Sequence, residues 1–196
     1  MKRNYALLLV IASLVIVSFA RLIEHPFNFT PLVAMSIFGV YQCKGKWYSF
    51  LLPLVAIFFS DVLVNVFVQN TYLDSPFAYF TTATPYVGYA TLLLIGCLGL
   101  IMKNAKATTV TLYSLIGSLV FYLVTNTSAW IVDPANLYSN DLAGLAQCLY
   151  AGIPFYKNEI TGSFFLNQIA GDLFFNGLLF GMFALATNKI KSLQTA

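Results

Sequence analysis

The chain has 196 residues, 59% of them hydrophobic and 9% charged, with a mean hydropathy of +0.79. Soluble domains carry about 25% charged residues, so this composition excludes a soluble globular protein and predicts one all-α polytopic transmembrane domain over residues 1–196. The net charge of +3 is scattered through short turns and not gathered into a basic patch, which excludes nucleic acid as a partner.

In chain order, six apolar stretches reach or approach the ~20 residues a helix needs to cross about 30 Å of hydrocarbon. Residues 5–22 follow a basic head, Lys2 and Arg3. Ser18 and Ala20 also allow a signal-peptide reading, but the first span of a multispanning protein serves as its own signal. The loop 21–30 carries Arg21, Glu24, His25, Asn28 and Thr30, and Pro31 opens the next span where its missing N–H does no harm. That span, 31–43, is only about 20 Å long. Lys44 and Lys46 make a basic turn before 47–68, where Trp47 and Tyr48 are placed as interfacial anchors and Asp61 and Asn65 lie one turn apart near the far end.

Residues 69–76 contain Asp74 and no Lys or Arg. The fourth span, 77–102, opens with Tyr79, Thr81, Thr82, Thr84, Tyr86 and Tyr89. Lys103 and Lys106 precede the fifth, 110–132, which finishes in Thr125, Asn126, Thr127, Ser128 and Trp130. Within the long connection that follows, Leu142, Leu145, Ala146, Leu149 and Ile153 keep helical spacing behind Asp141, which predicts a short interfacial helix over 141–153 acting as a lid. The sixth span, 163–187, ends in Lys189 and Lys191.

With both termini cytoplasmic, Lys2, Arg3, Lys44, Lys46, Lys103, Lys106, Lys189 and Lys191 all fall inside, and Arg21 and Lys157 outside, as the positive-inside rule requires. The expected location is the bacterial inner membrane, crossed six times.

Gln168, Asp172 and Asn176 stand at i, i+4 and i+8 on one face of the last span. An ionisable group in hydrocarbon is expensive unless it faces the bundle interior or a water-filled cavity. Asp172 lies about 14 Å from the outer end of its span, and Asp61 about 21 Å from the inner end of its own. Both therefore sit in the outer half, level with Asn126 and with Arg21 and Asn28 of the first loop. These seven residues are the expected walls of a solute pocket open to the outside: Asp172, Gln168 and Asn176 as floor and wall, Asp61 and Asn126 opposite, Arg21 and Asn28 from the loop. Tyr79, Tyr86 and Tyr89 are placed to stack on a flat ligand. The apolar inner halves do not suit a continuous ion pore.

Enzyme signatures are missing: there is no HExxH, GxSxG, GxGxxG or P-loop, and no cofactor motif. One histidine, His25, cannot build a multi-His metal site. Asp61 and Asp172 invite comparison with an aspartyl dyad, but the string Ile169-Ala170-Gly171-Asp172 lacks the first glycine of Gly-x-Gly-Asp. Gly177 and Gly181 form a GxxxG, a sign of close helix contact within the chain or with a partner.

Arg21 with His25-Pro26-Phe27-Asn28-Phe29-Thr30-Pro31, Asn126 with Trp130, Ala151-Gly152-Ile153-Pro154-Phe155 and Gly171-Asp172 together resemble a bacterial family of small, uncharacterised transport proteins. That family is in turn similar to the substrate-binding S components of energy-coupling factor (ECF) transporters. The resemblance implies six helices, an outward-facing pocket for a vitamin- or precursor-like solute, and a transmembrane coupling subunit with cytoplasmic ATPases as partner. S components also carry an Ala-x-x-x-Ala motif in the first span, which residues 5–22 do not have. Two other functions fit the sequence: a membrane scaffold or assembly protein using the GxxxG face, and a self-contained proton-coupled carrier.

Overall fold

The computed structural model describes residues 3–68, 77–133, 135–154 and 163–195. Lys2, Asp74 and Lys157, used above in the charge argument, lie outside the described residues. Within them are seven α-helices and no strand: α1 (Arg3–Ala20), α2 (Leu32–Cys43), α3 (Leu51–Phe67), α4 (Thr84–Ile101), α5 (Ala107–Val132), α6 (Leu142–Gly152) and α7 (Phe164–Thr195). Three apolar stretches are long enough to cross a membrane, Thr84–Ile101, Ala107–Val132 and Phe164–Ile190. The apolar parts of the other helices are shorter.

The shortest of the six expected spans is the centre of the molecule. α2 touches α1, α3, α4, α5 and α7, and Val33 through Val40 are buried without a break. A helix that is apolar all round is a core helix, which explains a length that looked inadequate. Phe38 is its anchor, edge-on to Phe180 at 5.2 Å and to Phe183 at 5.8 Å. Ser36 donates to the Leu92 carbonyl at 2.5 Å, tying α2 to α4. On the outside of the bundle Leu8, Val55, Leu94, Leu123 and Phe174 are exposed, the reverse of a soluble helical surface.

Consecutive long helices alternate in direction. One end of the bundle gathers the C-terminal parts of α1, α3 and α5 with the N-terminal parts of α2, α4 and α7; the other gathers the lysine-bearing turns. Lys44 joins two of those turns by donating to the Met102 carbonyl at 3.1 Å. We call these the polar end and the basic end.

Several expected boundaries shift. The third span starts four residues later, because residues 47–50 are in turns. In the fourth, Ala78–Thr81 is a 3₁₀ turn and the α-helix begins at Thr84, with Pro85 in its first turn. Hydroxyl and aromatic groups before a proline read as the start of a helix but form its approach.

α6 forms where the short helix over 141–153 was expected. Its buried residues are Gly144, Cys148 and Gly152: Cys148 and Gly152 face Asn126 and Tyr122 of α5, and Gly144 lies against the Ser139 backbone, while Leu142 is 84% exposed. Cys148 donates to the Asn126 carbonyl at 3.5 Å, and the Tyr122 hydroxyl donates to the Leu149 carbonyl. Small residues take the closest approach, Leu145 and Leu149 are half-buried beside them, and Leu142 and Ile153 face outward. Asp141 is the N-cap, accepting from the Gly144 N–H at 2.8 Å and the Ser139 hydroxyl at 2.7 Å, and those two bonds hold its carboxyl below the usual carboxylate range. A lowered folded pKa contributes stability above the unfolded value that is lost as pH falls. The Gly144 amide resonance should therefore move to a frayed-helix position only on acidification below the ordinary carboxylate range, and Asp141→Asn should remove that titration.

Candidate solute site

A cavity of about 250 Å³ opens among the helix ends at the polar end. It begins with the loop after α1. Asn28 adopts φ 65°, a left-handed conformation that asparagine tolerates, and this turn sends its side chain to α7. There Nδ2 donates to the Phe164 carbonyl and to Gln168 Oε1, both at 3.2 Å. Asn167 of α7 donates back to the Phe27 carbonyl at 3.1 Å. The loop lies flat on α7 because position 171 is glycine: a Cβ there would stand 3.0 Å from the Thr30 nitrogen and 3.1 Å from Phe29 Cα. The Gly171-Asp172 pair is thus a packing requirement of this loop.

Arg21 sits at one wall of the cavity. Its Nη1 donates to Asp61 Oδ1 at 2.5 Å and to Ser60 Oγ at 3.0 Å. Tyr89 of α4 donates to the other carboxylate oxygen, Oδ2, at 2.7 Å. The pair is largely enclosed, with side chains 12% and 7% exposed. Three helices meet in this one cluster: α1 through the residue that follows it, α3 and α4. It leaves the cavity with one positive and one negative group that neutralise each other. Among the described residues only Nη1 of the guanidinium is engaged, through both of its N–H groups, so three of the five N–H donors of Arg21 are left for other acceptors. Tyr79, Tyr89, Phe121 and Phe164 supply aromatic walls, and Asn126 and Thr125 of α5 close the ring.

Five of the seven expected residues therefore line one cavity: Arg21, Asn28, Asp61, Asn126 and Gln168. Asp172 and Asn176 do not line it. They continue the same face of α7 deeper into the bundle, where Asp172 is 1% exposed and accepts from the Ser118 hydroxyl at 2.6 Å. Gln168 bridges the two levels by donating to the Ser118 carbonyl at 2.9 Å. Tyr86 also stands outside, bonded to the Phe80 carbonyl. No residue of α6 lines the cavity, so the expected gate residues from Asp141 to Ile153 have a packing role on α5. The two aspartates have separate partners and form no dyad.

Ser118, Asn167 and the Tyr89 hydroxyl were not picked out for these contacts. Ser114 and Ser118, four apart on α5, were the available signal, but serine in an apolar span commonly back-bonds to its own helix, as Ser114 does to Val110 at 2.8 Å.

A larger trough of about 500 Å³ runs between α1 and the start of α3. Apart from the indole nitrogen of Trp47 and the hydroxyl of Tyr48 its side-chain lining is hydrocarbon, so it offers a solute little to bond to. Among the described residues no three His, Cys, Asp or Glu side chains converge on a metal position.

The family model of DUF6580, a family of unknown function, matches residues 1–193. The chain belongs to this family. No curated protein and no solved structure matches it. Membership brings no activity with it, so what this DUF6580 chain does has to be argued from the cavity.

Proposed function

We propose that the protein is a six-span inner-membrane protein, both termini cytoplasmic, that captures a small solute from the outer side in the manner of an ECF S component. The observation that carries this reading is the cavity itself. It gathers an ion pair, three amides and four aromatic rings at one end of an otherwise apolar bundle, with the lysine turns at the other end. The alternating helix directions and the positive-inside rule support that orientation. A volume of about 250 Å³ is near the lower limit of ligand pockets and equals the liquid volume of roughly eight waters. The solute class is accordingly a compact, flat molecule with hydrogen-bonding groups at its rim, and a coupling subunit with ATPases would supply the energy.

Native mass spectrometry of the purified chain tests the reading, with retention of one defined small molecule as the expected result. Tyr89→Phe, which removes one bond to Asp61 at a cost of about 1–2 kcal/mol, should weaken retention about tenfold while the protein stays folded. A preparation that never retains a molecule, alongside Tyr89→Phe of unchanged behaviour, favours the scaffold reading. The feature on that side is that a Cβ on Gly177 or Gly181 would meet nothing within 4 Å, so the GxxxG is not used inside the chain.

A further inference from the structure

We propose that the seam between α5 and α7 is a proton relay through Asp172, joining the solute cavity to a second opening at the basic end. The proposal rests on the membrane orientation argued above.

The second opening has a volume of about 260 Å³ and lies between the first half of α5 and the second half of α7, with Thr111 and Ser114 on one side and Leu173, Gly177 and Gly181 on the other. On α7 the nearest lining residues of the two cavities are Gln168 and Leu173, about 7.5 Å apart along the helix. On α5 they are Phe121 and Ser114, about 10.5 Å apart. A partition of roughly 10 Å thus stands where the hydrocarbon is about 30 Å thick.

That partition is polar. Ser114, Ser118 and Asp172 are buried within it. The Ser118 hydroxyl lies 2.6 Å from Asp172 Oδ2 and 3.0 Å from the Ser114 carbonyl. It has one proton for these two acceptors and can turn from one to the other. At the lower face Asn176 is 1% exposed, and neither its amide nitrogen nor its oxygen has a partner. Buried polar groups of this kind are met by internal water. Asn176 does not itself line the lower opening; its neighbour Gly177 does, and water from the opening has to pass that residue to reach the Asn176 amide.

Among the described residues Asp172 is the only ionisable side chain at this level. α1 between Tyr5 and Arg21, α2 before Tyr41 and α5 between Tyr113 and Tyr122 contain none, and Arg21 is engaged by Asp61. In one passage the Ser118 hydroxyl gives its proton to the Asp172 carboxylate, forming the acid, and takes one in return from water on the side of the upper cavity. The acid then gives its proton to water at Asn176, which releases it through the lower opening. One proton crosses and Asp172 returns to its starting state.

The test uses the full chain in liposomes that hold a pH-sensitive dye, with the membrane potential set by potassium and valinomycin. The expected result is proton uptake above that of protein-free liposomes, at least tenfold slower in Asp172→Asn and several-fold slower in Ser118→Ala. Uptake equal to protein-free liposomes, or undiminished in Asp172→Asn, overturns the relay. If Asp172→Asn does not reconstitute, Ser118→Ala decides by the same criterion. Native mass spectrometry on the same preparations reports solute retention separately, so loss of the relay is distinguishable from loss of the solute-binding reading.

Discussion

Asp61→Ala will destabilise the protein by about 3–5 kcal/mol and abolish solute retention, because it leaves a nearly buried guanidinium without its counter-ion. Arg21 cannot be rescued by Asp172, which lies on another level with Ser118 as its partner. Tyr89 loses its acceptor in the same step. For a chain of this length the loss corresponds to a fall on the order of 10 °C in the temperature at which the detergent-solubilised protein leaves its monodisperse peak. The paired change Arg21→Met with Asp61→Leu should recover most of that fall, since well-packed hydrophobic replacements of a buried ion pair are commonly neutral or better. It should not recover solute retention, because the cavity then has neither charge. Asp61→Ala with native thermal behaviour would show that the pair does not hold α1, α3 and α4 together.

Gly99→Leu is expected to prevent assembly of the bundle. A Cβ at this position would stand 2.6 Å from the Ile37 carbonyl oxygen and 2.9 Å from the Tyr41 nitrogen. Both are backbone atoms of α2 and cannot turn aside as a side chain can. α4 must therefore move off α2, and every other long helix packs on α2 as well. Overpacking in a core ordinarily costs about 1–3 kcal/mol, and a clash with central backbone belongs above that range. Gly181→Ala is the matched control: nothing lies within 4 Å of its Cβ, so its effect on stability should stay within about 0.5 kcal/mol. Size-exclusion profiles of both variants after identical extraction decide the point, and a monodisperse Gly99→Leu protein would refute the account of α2 as a backbone-packed core.

How far the sequence could be read follows from which interactions are local. Apolar stretches, basic turns and the i, i+4, i+8 face of Gln168, Asp172 and Asn176 are periodic features of one segment, and a helix appeared at each of the seven expected places, the largest boundary shifts being at the start of α4 and the end of α7. Where local chemistry had two uses the reading went astray. Residues 77–83 carry interfacial groups that suit a helix start equally well as its approach. In α6 the spacing of the leucines gave no sign that Cys148 and Gly152 are the residues that meet α5.

Composition and periodicity by themselves determined that this is a helical, membrane-type chain whose polar groups collect at one end, because transfer from water to hydrocarbon acts on each residue separately. Only the tertiary structure decided which groups meet. Arg21 and Asp61 are 40 residues apart, Asn28 and Gln168 are 140 apart, and Ser118 reaches Asp172 across 54. Such pairs depend on how each helix is rotated about its axis and how closely it approaches its neighbours. Those quantities are set by packing around α2, through small residues such as Gly99 and Gly171, and no single segment carries them.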